Sequence, residues 1–153
     1  MAQRVIDLSQ IKDCVGQELG LTDYLPVTQE RIEQFAAATD DYQWIHVDVD
    51  RAKRESPFGT TIAHGFLTLS LLGHLANNAL EVRGYRLAVN YGLDRVRFPA
   101  AVPSGSRIRA RVTLQAVEDV PGGLQTKFLY TVECDAAPKP VCVAEWVIRY
   151  YYP

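Results

Sequence analysis

A chain of 153 residues, 48% hydrophobic and 22% charged, has the size and balance of one soluble globular domain, residues 1–153, able to bury about 70% of its unfolded surface. Sixteen Lys and Arg against eighteen Asp and Glu leave a net charge of −2, which provides no general attraction to nucleic acid or to an anionic membrane. The cysteines Cys14, Cys134 and Cys142 are odd in number and lack C-x-x-C spacing, so they read as reduced thiols of a cytoplasmic protein and not as a disulfide framework.

In chain order, the first residues lack the apolar core of a signal peptide. A short helix is predicted over residues 9–14 and an extended passage over 19–27. Thr28 is placed to cap a helix, because its hydroxyl can accept from an unpaired first-turn N–H. Ile32, Phe35 and Ala36 then form one apolar stripe on that helix, which ends near Thr39. Asp48 or Asp50 can cap a short polar helix through Arg51, Ala52 and Lys53, and Ser56-Pro57-Phe58-Gly59-Thr60 reads as a loop.

A helix is predicted next over residues 64–80. Its apolar residues Phe66, Leu67, Leu69, Leu71, Leu72, Leu75 and Ala76 surround the axis, so it should be buried on most sides. The segment from Ile62 to Leu80 approaches membrane-spanning length, but His64, His74, Asn77 and Asn78 interrupt it. Strands are predicted over 86–91, 95–98, 107–117, 124–133 and 141–152, with turns at Pro121-Gly122-Gly123 and at Ala136-Ala137-Pro138-Lys139-Pro140. Short connections favour antiparallel pairing, and a helix this apolar needs a sheet around it. The expected class is α+β, a curved antiparallel sheet wrapped around a central helix.

Chemistry concentrates at Asp40-Asp41-Tyr42-Gln43-Trp44-Ile45-His46. Asp41 and His46 can act as an acid–base pair sharing a water, or the aspartates can end a helix beside a satisfied loop histidine; the spacing leaves both open. Gly65 at the start of a helix can offer an unpaired N–H to developing negative charge, or can serve close packing. His64 and His74, ten residues apart, do not have the i, i+4 spacing for a shared metal, and capping explains the carboxylates of His46-Val47-Asp48-Val49-Asp50, so no metal is assigned. No G-x-S-x-G, P-loop or G-x-G-x-x-G motif is present. Arg83, Arg86, Arg95, Arg97, Arg107, Arg109 and Arg111 read as solvated strand positions, with contact to a nucleotide-tailed substrate as the alternative.

Two segments in register resemble the MaoC-like dehydratases, the (R)-specific enoyl-CoA hydratases of the hotdog fold. They are Asp41-Tyr42-Gln43-Trp44-Ile45-His46-Val47-Asp48 and Phe58-Gly59-Thr60-Thr61-Ile62-Ala63-His64-Gly65-Phe66-Leu67. The lead-in Ala38-Thr39-Asp40-Asp41 looks most like the nodulation-protein-N-like branch. Weaker similarity continues in Arg95-Val96-Arg97-Phe98-Pro99 and Val102-Pro103-Ser104-Gly105-Ser106. The resemblance selects Asp41, five residues before His46, over Asp40.

It implies a hotdog fold and a hydro-lyase of fatty-acid metabolism that adds water reversibly to a trans-2-enoyl-CoA. Asp41 and His46 would be catalytic and the Gly65 N–H would hold the thioester carbonyl. Trp44, His64 and Phe66 become candidates for the substrate pocket. It implies no metal or redox cofactor, an acyl-CoA substrate, and a homodimer paired edge to edge. Many members carry Asn-Pro where this chain has Gln43-Trp44, which bears on the acyl chain accepted. An acyl-CoA thioesterase and a non-catalytic acyl-CoA or acyl-carrier binding module are the alternatives.

Overall fold

The computed structural model describes residues 3–153. The chain opens with β1 (Arg4–Asp7), a 3-10 helix (Leu8–Cys14), β2 (Glu18–Leu21) and β3 (Leu25–Pro26). Asp7 starts the 3-10 turn by accepting the Ser9 N–H at 2.9 Å. Helix α1 (Gln29–Thr39) begins as predicted, with Thr28 Oγ1 accepting the Arg31 N–H at 3.1 Å. It ends at Asp40, which adopts the left-handed conformation (φ 57°) that turns the chain sharply out of the helix. The one-turn helix α2 (Trp44–Val47) follows, then α3 (Val49–Glu55), where Asp48 and not Asp50 is the cap, its Oδ1 accepting the Arg51 N–H at 3.0 Å.

The single helix expected over 64–80 is two: α4 (Gly65–Ser70) and α5 (Leu72–Ala79), meeting at Leu71. The Ser70 hydroxyl donates to the Phe66 carbonyl at 2.7 Å, a back-bond of the kind that bends helices. Nor is this segment buried on most sides. Leu67, Leu72, Leu75 and Ala79 are buried, Leu69, Leu71 and Ala76 are half-buried, and Phe66 is 69% exposed. The sheet covers one side of the helix, so the apolar residues opposite it remain at the surface.

Beyond α5 come β4 (Leu80–Arg83), β5 (Leu87–Arg97), β6 (Arg107–Val120), β7 (Gly123–Cys134) and β8 (Cys142–Tyr151). The main sheet is antiparallel in the order β2-β6-β7-β8-β5, with β3 also on β6. The strands expected over 86–91 and 95–98 are one strand, β5. Register shifts between Asn90 and Gly92 and between Leu93 and Arg95 break the alternation that would have revealed its continuity. β1 and β4 form a small parallel pair that the sequence pattern did not suggest.

Burial alternates along β6 and β7, so one face of the sheet (Ile108, Ala110, Val112 and Leu114; Phe128, Tyr130 and Val132) packs on the helices. The outcome is the α+β arrangement expected. Arg83, Arg107, Arg109 and Arg111 are in ion pairs with Glu81, Asp135, Glu133 and, for Arg111, both Glu18 and Glu133. Arg86, Arg95 and Arg97 are in no ion pair among the described residues.

Candidate active site

Three chain segments meet around Asp41, His46 and His64. The left-handed turn at Asp40 delivers Asp41 to the surface, where its Oδ1 accepts the Gln43 N–H at 3.4 Å. His46 sits on the single turn of α2 and is buried. Its Nδ1 lies 2.7 Å from the Ile62 carbonyl oxygen. A carbonyl only accepts, so Nδ1 carries the proton in the neutral ring and Nε2 presents a lone pair. Burial lowers the His46 pKa, and nearby His64 lowers it further, while the Ile62 bond and Asp41 act the other way. The arrangement is that of a base kept unprotonated near neutral pH.

Residues 61–64 form the spine of the site. Ile62 donates to the Ile45 carbonyl at 3.0 Å, Ala63 to Val102 at 2.9 Å, and Ser104 to Thr61 at 2.9 Å. The segment is therefore held between the α2 turn and the 102–104 loop. Gln29, the first residue of α1, adds a cross-brace: its side-chain amide donates to the His46 carbonyl at 2.8 Å and accepts the Thr61 hydroxyl at 2.6 Å. Sequence reading missed Gln29 and Thr61.

Gly65 opens α4, and its N–H finds no protein acceptor among the described residues. A Cβ at this position would sit 3.1 Å from the Phe98 ring, so the residue also serves the close packing considered from sequence. A depression of about 320 Å³ lies here, lined by Phe58, Ile62, Ala63, Gly65, Phe98 and Val102 among others. Of Asp41, His46, His64 and Gly65, Gly65 alone lines this depression, and a separate cleft of about 370 Å³ between α5 and the sheet touches none of the four.

Of the pocket candidates, His64 is brought fully into the site, its ring stacked on His46 at 3.8 Å. Trp44 is half-buried with the Arg51 guanidinium 4.2 Å above its ring, and Phe66 points outward. Neither lines the depression beside Gly65. His74 is exposed and bonds only within its own helix.

Donor atoms of Asp41, His46 and His64 lie within 4.8 Å of one another. A shared metal would have to lie near the plane of both imidazoles, and rings stacked only 24° from parallel do not converge on such a point. As arranged, the two imidazoles do not share one coordination point.

Residues 10–133 match the family model described as the MaoC like domain. The chain is 49% identical to the 3-hydroxyacyl-thioester dehydratase Z of Mycobacterium tuberculosis, over 94% of this chain and 95% of that protein. It is 43% identical to Nodulation protein N of Rhizobium leguminosarum bv. viciae, over 93% and 89%. In fold it superimposes on an unliganded R-hydratase from Pseudomonas aeruginosa with a TM-score of 0.72 at 23% identity, covering 91% of this chain and 83% of that one. The antiparallel sheet packed on these helices is thus a hotdog fold, and the chain belongs to the MaoC-like dehydratase family, as a hydro-lyase.

Proposed function

We propose that the chain adds water reversibly to a trans-2-enoyl thioester, giving the (R)-3-hydroxyacyl thioester, with dehydration as the reverse. The observation that carries this reading is the His46 ring, fixed by Ile62 so that an unprotonated Nε2 shares a site with the Asp41 carboxylate and with His64, the residue before Gly65 in the chain. Asp41 and His46 hold one water. Its oxygen bonds to C3 as the pair takes up a proton, the C2–C3 π electrons move toward the thioester, and the same pair returns a proton to C2 on the same face. Protons balance, and neither metal nor redox cofactor is needed. The Gly65 N–H hydrogen-bonds the thioester oxygen while that charge develops.

A positioned acid–base group contributes about 10²–10⁴-fold and one oxyanion donor about 10²–10³-fold, which suits an addition to an activated alkene. The mycobacterial relative supports this choice, since it is named as a dehydratase of 3-hydroxyacyl thioesters. We assign an acyl-CoA substrate and a cytoplasmic setting, the latter because Cys14, Cys134 and Cys142 are buried and unpaired. We also assign a homodimer, joined along the free edge of β5, where Leu87, Val89, Tyr91 and Leu93 are exposed.

Purified protein is expected to deplete the absorbance of crotonyl-CoA without releasing free CoA. Asp41→Asn is expected to lower turnover by about a hundredfold or more with the fold intact. Unchanged turnover would remove Asp41 from the mechanism, and release of thiol without hydration would replace the reading with a thioesterase.

A further inference from the structure

We propose that His64 is a positioning residue for this reaction, a brace that holds the Asp41 backbone with one ring nitrogen and the His46 imidazole with its ring face. The inference rests on the hydratase reading of the site. Its physical basis is a set of contacts that a helix-capping or packing role does not account for.

The first contact is to Asp41. His64 Nε2 lies 3.1 Å from the Asp41 carbonyl oxygen, an acceptor only, so Nε2 carries the proton in the neutral ring. His46 has the opposite tautomer, with its proton on Nδ1 toward Ile62. The second contact is face to face. The His64 ring stacks on His46 at 3.8 Å, and Phe35 closes its surroundings at 4.9 Å, so the rings of α1, α2 and the residue before α4 form one column.

A helix-capping role does not fit, because the His64 side chain makes no hydrogen bond to the start of α4. A packing role does not fit either. His64 is 3% exposed and its Nδ1 is buried with no hydrogen-bond partner, a cost that a hydrocarbon side chain of similar size would not carry. What a hydrocarbon cannot do is donate to the Asp41 carbonyl.

The need for a brace follows from the lengths of the elements. Asp41 stands on a connection just past a left-handed residue, and His46 on a helix of four residues. The Asp41 N–H is tied back to α1 through the Ala36 carbonyl at 3.1 Å, which leaves its own carbonyl and carboxylate to be held from elsewhere, and a misplacement of about 1 Å between a catalytic group and its target can cost about a hundredfold in rate. The residues 61–64 are clamped on both sides, so His64 transmits their rigidity to both catalytic groups.

The test uses three proteins and one spectrum. His64→Leu is expected to lower kcat on crotonyl-CoA by about 10- to 100-fold with KM little changed. In His64→Gln the side-chain amide reaches the same distance as Nε2, donates to Asp41 and recovers much of that loss. Equal impairment of the two variants, or a loss confined to KM, overturns the proposal. Nitrogen NMR of the wild-type chain, at a pH where both rings are neutral, does not depend on the variants folding. It is expected to find the proton on Nε2 of His64 and on Nδ1 of His46. A proton on Nδ1 of His64 also overturns the proposal. Absence of any enoyl-thioester turnover by the wild type would instead overturn the hydratase reading and leave the NMR result to stand alone.

Discussion

His46 carries a pH prediction. Burial, assisted by the neighbouring imidazole, holds its pKa below the 6.5 of an unperturbed histidine. The acid limb of kcat/KM is therefore expected below that value; a limb at or above it would mean that another group is the base. The same displacement affects stability. In the folded chain His46 binds a proton less readily than in the unfolded chain, so its contribution is complete above the unfolded value and is lost as pH falls through the folded one. Denaturation midpoints measured across that interval are expected to fall with pH, less so in a His46→Gln variant.

Among elements, the join between α1 and the spine of the site is the part most open to a double-variant experiment. Gln29 gives its amide N–H to the His46 carbonyl and receives the Thr61 hydroxyl. Gln29→Ala leaves both partners short of a bond and is expected to cost about 1 kcal/mol, read from the denaturant midpoint. Thr61→Val removes one of those bonds alone. Because the two changes share it, the pair is expected to cost less than the sum; strict additivity would mean that the brace does not operate.

This bracing was invisible in the sequence for a definite reason: it runs through the carbonyls of His46, Asp41 and Ile62, which every residue type possesses. Asp41, His46 and Gly65 were singled out by contrast through the family resemblance, since their spacing alone left helix-ending and packing readings open. The caps at Thr28 and Asp48 were legible because a short oxygen-bearing side chain must precede the turn that it closes.

At the scale of the whole molecule, the long strands β6, β7 and β8 follow from period-2 alternation between turn signals, and they are where the sequence reading came closest. It missed the β1–β4 pair, whose four-residue strands are too short to carry a pattern and whose partners are far apart in the chain. It overestimated the burial of residues 64–80, because an apolar surface on a helix does not reveal whether the chain's own sheet covers it.

One uncovered region lies along β5, which ends the sheet and has β8 as its partner on one side alone. Val89→Lys places a charge among the exposed apolar residues of that edge and is expected to give a monomer by light scattering, and the unaltered chain a dimer. A dimer that persists in the variant would move the interface elsewhere.

The position of β8 has a consequence for synthesis. It is the last strand in the chain yet sits inside the sheet, between β7 and β5. On the ribosome β5 is therefore made well before β8, the strand that pairs with it in the folded chain. Until β8 leaves the exit tunnel, an eleven-residue strand with Leu87, Val89, Tyr91 and Leu93 exposed waits unpaired on both sides. A nascent chain stalled short of β8 lacks the strand that joins β7 to β5 and is expected to be a client for chaperones and not a partly working enzyme.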